Sequence, residues 1–157
     1  MRELAKLTVN SLSDMWKLRF SSAGLAAIIT VMVVAQLFTF EKFPDVIGQL
    51  LQTDDEVLIN ALAAVVVIVE VTAIPFLLFM PLSPAMRLLS MISGWLTIAI
   101  WIGFITFGSV KASEAINSGV LGATLSVPVG LWMLPILVIF GIWAGMISYR
   151  VFPRTVR

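Results

Sequence analysis

Residues 58–80 read LINALAAVVVIVEVTAIPFLLFM, an apolar run interrupted by one carboxylate, Glu70. A helix needs about 20 predominantly apolar residues to cross a ~30 Å hydrocarbon core, so this run is long enough to span a bilayer and sets Glu70 near its centre. A glutamate side chain does not reach an aqueous surface from that depth. Holding a charge there costs roughly 2.5–3.5 kcal/mol on insertion scales, so Glu70 is expected to face other helices and to be protonated, paired or hydrogen-bonded.

Outward from this run the chain keeps the same character. It is 60% hydrophobic and 12% charged, with a mean hydropathy of +1.05, against roughly 25% charge in ordinary soluble domains. Four spans are predicted at about residues 22–40, 58–80, 88–110 and 125–149. With 157 residues the expectation is one all-α membrane domain, an antiparallel four-helix bundle. Met80-Pro81-Leu82-Ser83-Pro84 joins the second and third spans, and its two prolines bias the preceding residues away from helix, which predicts a tight antiparallel hairpin. Phe43-Pro44-Asp45 can open a short helix. Asp54-Asp55-Glu56 then sets negative charge at the start of the second span, where it favours the helix dipole. Pro75, Pro128 and Pro135 fall in or near apolar runs and read as kinks; a break at Pro75 would put free carbonyls near Glu70.

The charges give an orientation. Of the ten bases, Arg2, Lys6, Lys17, Arg19, Arg87, Arg150, Arg154 and Arg157 lie on the side carrying both termini, and Lys42 and Lys111 on the other, beside most of the acids. The positive-inside rule puts both termini in the cytoplasm, and the expected location is a multi-pass protein of a bacterial or archaeal inner (plasma) membrane. A cleaved leader is not expected, because about twenty residues with several charges precede the first apolar run. Bases beside membrane ends serve topology and anionic-lipid contact, so membrane lipids are expected partners and nucleic acid is not.

Within residues 1–20, Leu4, Leu7, Leu12, Met15, Trp16 and Leu18 recur at roughly helical spacing between Arg2, Lys6, Asn10, Asp14 and Lys17. This predicts an N-terminal interfacial amphipathic helix, lying on the leaflet or docked on a partner protein. In the fourth span Gly141 and Gly145 form a small-xxx-small pair that lets helices approach closely, within the bundle ahead of a homodimer seam. Trp95, Trp101, Trp132 and Trp143 read as core filler and interfacial anchors ahead of a quinone-stacking role.

Several chemistries are argued down by composition. The chain has no cysteine and no histidine, so it cannot itself exchange thiols and disulfides, ligate haem in the usual way or use an imidazole base. No metal site is expected, since the three consecutive acids lack the alternating spacing of a calcium loop. Its glycines form no phosphate-binding loop.

Leu37-Phe38-Thr39-Phe40-Glu41-Lys42-Phe43-Pro44 at the end of the first span, Glu70 central in the second, and a proline-containing turn leading through Ala85-Met86-Arg87 into the third are similar to the DoxX/MauE-type family of small four-span membrane proteins. The resemblance covers roughly residues 23–110. It implies a four-helix bundle and an accessory role near quinone- or thiol-linked redox complexes. Members tied to disulfide chemistry need cysteines, which this chain lacks.

The leading expectation is a non-catalytic accessory or structural subunit of a larger membrane complex, with other membrane-protein subunits as partners. Here Glu70 is an internal strut hydrogen-bonded by Gln36, Ser93, Thr97 or another polar neighbour. The alternative is a lipophilic small-molecule site for a quinone-like or lipid ligand, built from Glu70, Gln36, Trp95 or Trp101, and Thr97, in which Glu70 exchanges a proton or accepts a hydrogen bond. A small oligomeric transporter is the lesser alternative.

Overall fold

The computed structural model describes residues 2–111 and 116–151, with side chains for 14–110 and 116–150. Among the described residues there are five α-helices: α1 (Arg2–Phe38), α2 (Phe43–Leu51), α3 (Glu56–Leu77), α4 (Pro84–Lys111) and α5 (Met133–Val151). Four carry stretches long and apolar enough to cross a membrane, Asp14–Phe38, Glu56–Leu77, Pro84–Val110 and Met133–Arg150. The fold is therefore all-helical and of multi-pass membrane type.

Each boundary has a local cause. Asp55 caps α3, its Oδ1 accepting from Val57 N and Leu58 N at 3.1 Å each, while Glu56 adds negative charge to the first turn, so two orphan amides and the helix dipole are satisfied together. At 22 residues and 1.5 Å per residue, α3 is about 33 Å long, enough for the hydrocarbon core. Its C-terminus closes with Met80 N donating to Pro75 O at 3.1 Å and Phe79 N to Phe76 O at 3.2 Å, the paired closure of a Schellman turn. Pro84 then opens α4, where its missing amide costs nothing.

The first and last spans differ from the sequence expectation. Residues 1–20, expected as an interfacial helix ahead of a span at about 22–40, are continuous with that span, because α1 runs without interruption from Arg2 to Phe38. Of the amphipathic stripe, Leu4, Leu7 and Leu12 have side chains outside the described residues, while Met15 and Trp16 are exposed. The last span begins at Met133, not 125. Residues 116–132 instead form a folded non-helical segment, bridged antiparallel between Asn117 and Pro128 and closed by Ser118 N→Val127 O at 2.7 Å and Val129 N→Ile116 O at 2.8 Å. Ser126, Pro128 and Gly130 explain the late start, since each favours turn over helix. Pro135 falls in the first turn of α5, where it is tolerated. Lys111, Glu114, Arg154 and Arg157 have side chains outside the described residues.

Contacts between helices fix their register. Ser22 Oγ of α1 donates to Leu77 O at the end of α3 (2.6 Å), while Gln36, later in α1, meets Glu70, earlier in α3. Phe76 pairs with Ser90 and Glu70 with Trp101, so α3 and α4 also run in opposite sense. Gly145 lies against Trp95 and Gly141 against Ile98, which places the glycine pair between α5 and α4 of the same chain. Trp143 Nε1 donates to Ser21 Oγ at 2.6 Å, joining α5 to α1.

Pro75 lies within α3, and Ser90 repairs the adjoining turn. Its Oγ accepts from Phe76 N at 3.0 Å and donates to Thr72 O, with Ala73 O at 3.3 Å. A side-chain hydroxyl is thus inserted between the two ends of one i,i+4 step, one of the ways membrane helices tolerate proline. Ser90 thus takes up the carbonyls of Thr72 and Ala73 in the turn that precedes Pro75. Ser90→Ala should lower stability in micelles by about 1–3 kcal/mol, the cost of unpaired buried backbone groups. Equal denaturation midpoints for the two proteins would show that α3 rebuilds its own hydrogen bond.

Candidate functional site

Three buried stripes converge on Glu70. Along α3, Ile59, Ala63, Val66, Val67, Glu70, Ala73 and Phe76 are buried, a spacing of three and four that assigns Glu70 to the face packed on other helices. Along α1 the stripe is Ser22, Leu25, Ala26, Ile29, Val33 and Gln36, and along α4 it is Ser90, Ser93, Thr97, Trp101, Phe104 and Ile105. Gln36, Glu70 and Trp101 are 0%, 0% and 1% exposed.

Glu70 Oε1 accepts from Trp101 Nε1 at 2.6 Å and from Gln36 Nε2 at 3.4 Å. The first bond is short for an N–H···O contact and is the strong member of the pair; the second is long. Gln36 Nε2 also lies 3.4 Å from Val120 O, so its amide links the carboxylate to the segment between α4 and α5. Glu70 Oε2 and Gln36 Oε1 are buried without a hydrogen-bond partner, as is Ser118 Oγ.

The other residues expected at the site are placed differently. Thr97 shares the Trp101 stripe and is 4% exposed, but its hydroxyl donates to Ser93 O of its own helix at 3.0 Å. Trp95 is 43% exposed and packs on Gly145. It stands six positions before Trp101, which at 100° per residue leaves the two rings about 120° apart around α4. The indole at Glu70 is therefore Trp101, and Trp95 belongs with Gly141 and Gly145 to the α4–α5 seam.

A cap covers this cluster. Phe43, Pro44, Val46, Ile47 and Leu50 bury one face of α2 against α3 and α4. Beside it, a Cβ built on Gly119 (φ +72°) would meet Val46 at 3.0 Å, Phe43 at 3.4 Å and Trp101 at 3.8 Å. Asn117 organises the segment: its Nδ2 donates to Gly122 O (3.2 Å) and Ala123 O (3.4 Å), and its Oδ1 accepts from Gly119 N (3.1 Å) and Val127 N (3.3 Å). Thr39 Oγ1 accepts from Ala123 N at 2.9 Å and fastens the segment to α1. Sequence reasoning passed over Asn117, although Asn117-Ser118-Gly119 followed by Gly122 is a turn signal that could have found it.

A narrow apolar cleft of about 40 Å³ lies beside the cluster, with Trp95, Thr97 and Trp101 in its wall. Ligand pockets run to roughly 300–1,000 Å³, so a quinone ring would enter only if side chains moved. Chemically, the carboxyl can accept or hand on a proton and bind a donor through Oε2. Among the described residues no group of three His, Cys, Asp or Glu gathers to hold a metal.

The chain matches no protein-family model, no curated protein and no solved structure.

Proposed function

We propose that this chain is a non-catalytic accessory or structural subunit of a larger membrane complex. The observation that carries the reading is the use made of Glu70. Its Oε1 is bound by an amide from α1 and an indole from α4, so the one buried acid among the described residues ties three helices together. Outside it, Val31, Val34, Ile68, Leu89, Ile139 and Ile142 are among the exposed large apolar residues, a surface suited to lipid or to the spans of a partner.

In this reading the opposed registers of α1 with α3, α3 with α4 and α4 with α5 make an antiparallel four-helix bundle. Lys17, Arg19, Arg87 and Arg150 mark its cytoplasmic end by the positive-inside rule, with both termini on that side of an inner membrane. The start of α1, continuous with the first span, docks against the partner. The resemblance to the DoxX/MauE-type family supplies the suggestion that the complex is redox- or quinone-linked.

Extraction of the source membrane in gentle detergent, native separation and mass spectrometry of what migrates with the chain tests the proposal. Co-migration with a defined larger complex is expected. A lone, monodisperse small species would overturn it.

One observation favours a second reading, a lipophilic ligand site. Glu70 Oε2 and Gln36 Oε1 are buried and unpartnered, and the neighbouring cleft is apolar, so a quinone-like molecule or lipid that displaced side chains there would find both a carboxyl and an amide acceptor. A quinone or lipid released on denaturing the purified protein, and lost in Glu70→Gln, would replace the first reading with this one.

A further inference from the structure

Phe79 stands where a glycine is usual. It is the residue after the C-cap of α3 and has φ +54°, in the left-handed region that side chains disfavour and that a Schellman turn requires at this position. Strain of this kind persists where the side chain is used. The ring of Phe79 carries the Arg19 guanidinium 5.9 Å from its centroid. It also forms part of the wall of a cleft of about 260 Å³ shared with Pro81, Leu82 and Arg87. Phe79 thus meets Arg19 of α1 through its ring and shares a cleft with Arg87 of α4.

The position and charge of this cleft name its ligand. It lies at the end of the spans where α3 turns into α4, the level of lipid headgroups in a bilayer. Lys17 and Arg150 belong to the same end, and Asp14 is the described acid there. Arginine presents a planar fork of donors that matches phosphate oxygens, and its guanidinium stacks on aromatic faces, so a ring holding one arginine beside a second prepares a phosphate-binding pair. Met80, exposed, continues the wall with apolar surface suited to the start of an acyl chain.

We infer that Arg19, Phe79 and Arg87 form a binding site for the phosphate of an anionic membrane lipid. The site is separate from Glu70 and does not depend on the accessory reading. Choline-bearing lipids share the phosphate but bring a cation that two arginines repel, so selectivity for net negative headgroups is the signature.

The test is a native mass spectrometry titration of the delipidated full-length protein with phosphatidylglycerol and with phosphatidylcholine of the same acyl chains. Phosphatidylglycerol should bind more tightly, and Arg19→Gln with Arg87→Gln together should reduce that preference by roughly twenty-five-fold, about fivefold for each arginine near an anionic surface. Lys17→Gln with Arg150→Gln removes the same charge and should leave most of the preference in place. Phe79→Gly suits the turn, so it should keep the thermal midpoint and still weaken the preference. Should the glutamine pair fail to fold, Arg19→Lys with Arg87→Lys keeps the charge and should lose part of the selectivity. Displacement by inorganic phosphate would assign the site to the free anion, and persistence against it to the lipid headgroup. Equal binding of the two lipids, or an equal loss in the Lys17 and Arg150 pair, would overturn the site in favour of diffuse attraction.

Discussion

Glu70→Leu is expected to destabilise the protein by about 2–4 kcal/mol, read as a shift in the denaturation midpoint in micelles. The carboxylate is the acceptor for both Trp101 Nε1 and Gln36 Nε2, and a buried donor left without a partner costs about 1–3 kcal/mol. An opposing effect exists, since leucine removes the burden of a polar group in a hydrocarbon-like interior. Interhelical hydrogen bonds in membrane proteins average only about 0.6 kcal/mol in double-mutant cycles, so the bonds themselves are not the main loss. The Trp101 indole, left without its acceptor, decides the sign, since Gln36 Nε2 keeps Val120 O. Trp101→Phe, which removes one donor and leaves Glu70 with Gln36, should therefore cost less than Glu70→Leu. Combining Glu70→Leu with Trp101→Phe and Gln36→Leu should recover most of the stability, because apolar replacement of every partner is close to neutral. A triple variant no more stable than Glu70→Leu would show that packing, and not the polar tie, holds these helices.

Gly122→Val should undock the segment between α4 and α5. At φ +73° a Cβ on residue 122 would lie 2.5 Å from both Ala35 O and Thr39 Oγ1 and 2.9 Å from Ala35 C. Two of those three atoms are backbone of α1, which cannot rotate away. The left-handed conformation costs about 1–2 kcal/mol for a residue with a side chain, and the collision also forfeits the Ala123 N→Thr39 Oγ1 bond, for a total of about 3 kcal/mol. Gly103 is the control. A Cβ there meets nothing within 4 Å, so Gly103→Ala should gain about 0.5–1 kcal/mol from reduced chain freedom in the unfolded state. The native chain has no cysteine, so Ser118→Cys gives a clean probe of docking. Residue 118 is 0% exposed and should resist maleimide in the parent, then label readily beside Gly122→Val. Unchanged protection would mean that the segment tolerates the side chain by moving as a unit.

The existence of the spans was legible because Val, Ile, Leu and Ala dominate runs of about 20 residues, and hydropathy needs nothing more. The inward aim of Glu70 was legible for the same reason, as lipid gives a carboxyl at that depth no alternative. Its partners were not. Whether Trp95 or Trp101 meets α3 depends on the rotation of α4 about its axis, and a helix whose apolar residues surround it on all sides carries little record of that angle. Ser90, Ser93, Thr97 and Trp101 do fall on one stripe, so the small polar residues marked the packed face more faithfully than the aromatics did. Residues 125–132, LSVPVGLW, were read into the last span because Leu125, Val127, Val129, Leu131 and Trp132 raise the hydropathy whatever the backbone does, although Leu125, Leu131 and Trp132 are exposed. Pro128 and Gly130 were the local clues, and the partner that makes the loop stable, Asn117, lies outside that window.

The chain order of the Glu70 cluster bears on its synthesis. Gln36 precedes Glu70 by 34 residues, Trp101 follows it by 31, and the Val120 carbonyl that holds the Gln36 amide comes last. When α3 enters the bilayer its acid finds an amide donor already present, gains its stronger partner with the next span, and is enclosed only when the segment before α5 arrives. A chain interrupted after α3 would hold Glu70 by its weaker bond alone, which makes the third span, rather than the second, the step at which insertion becomes secure.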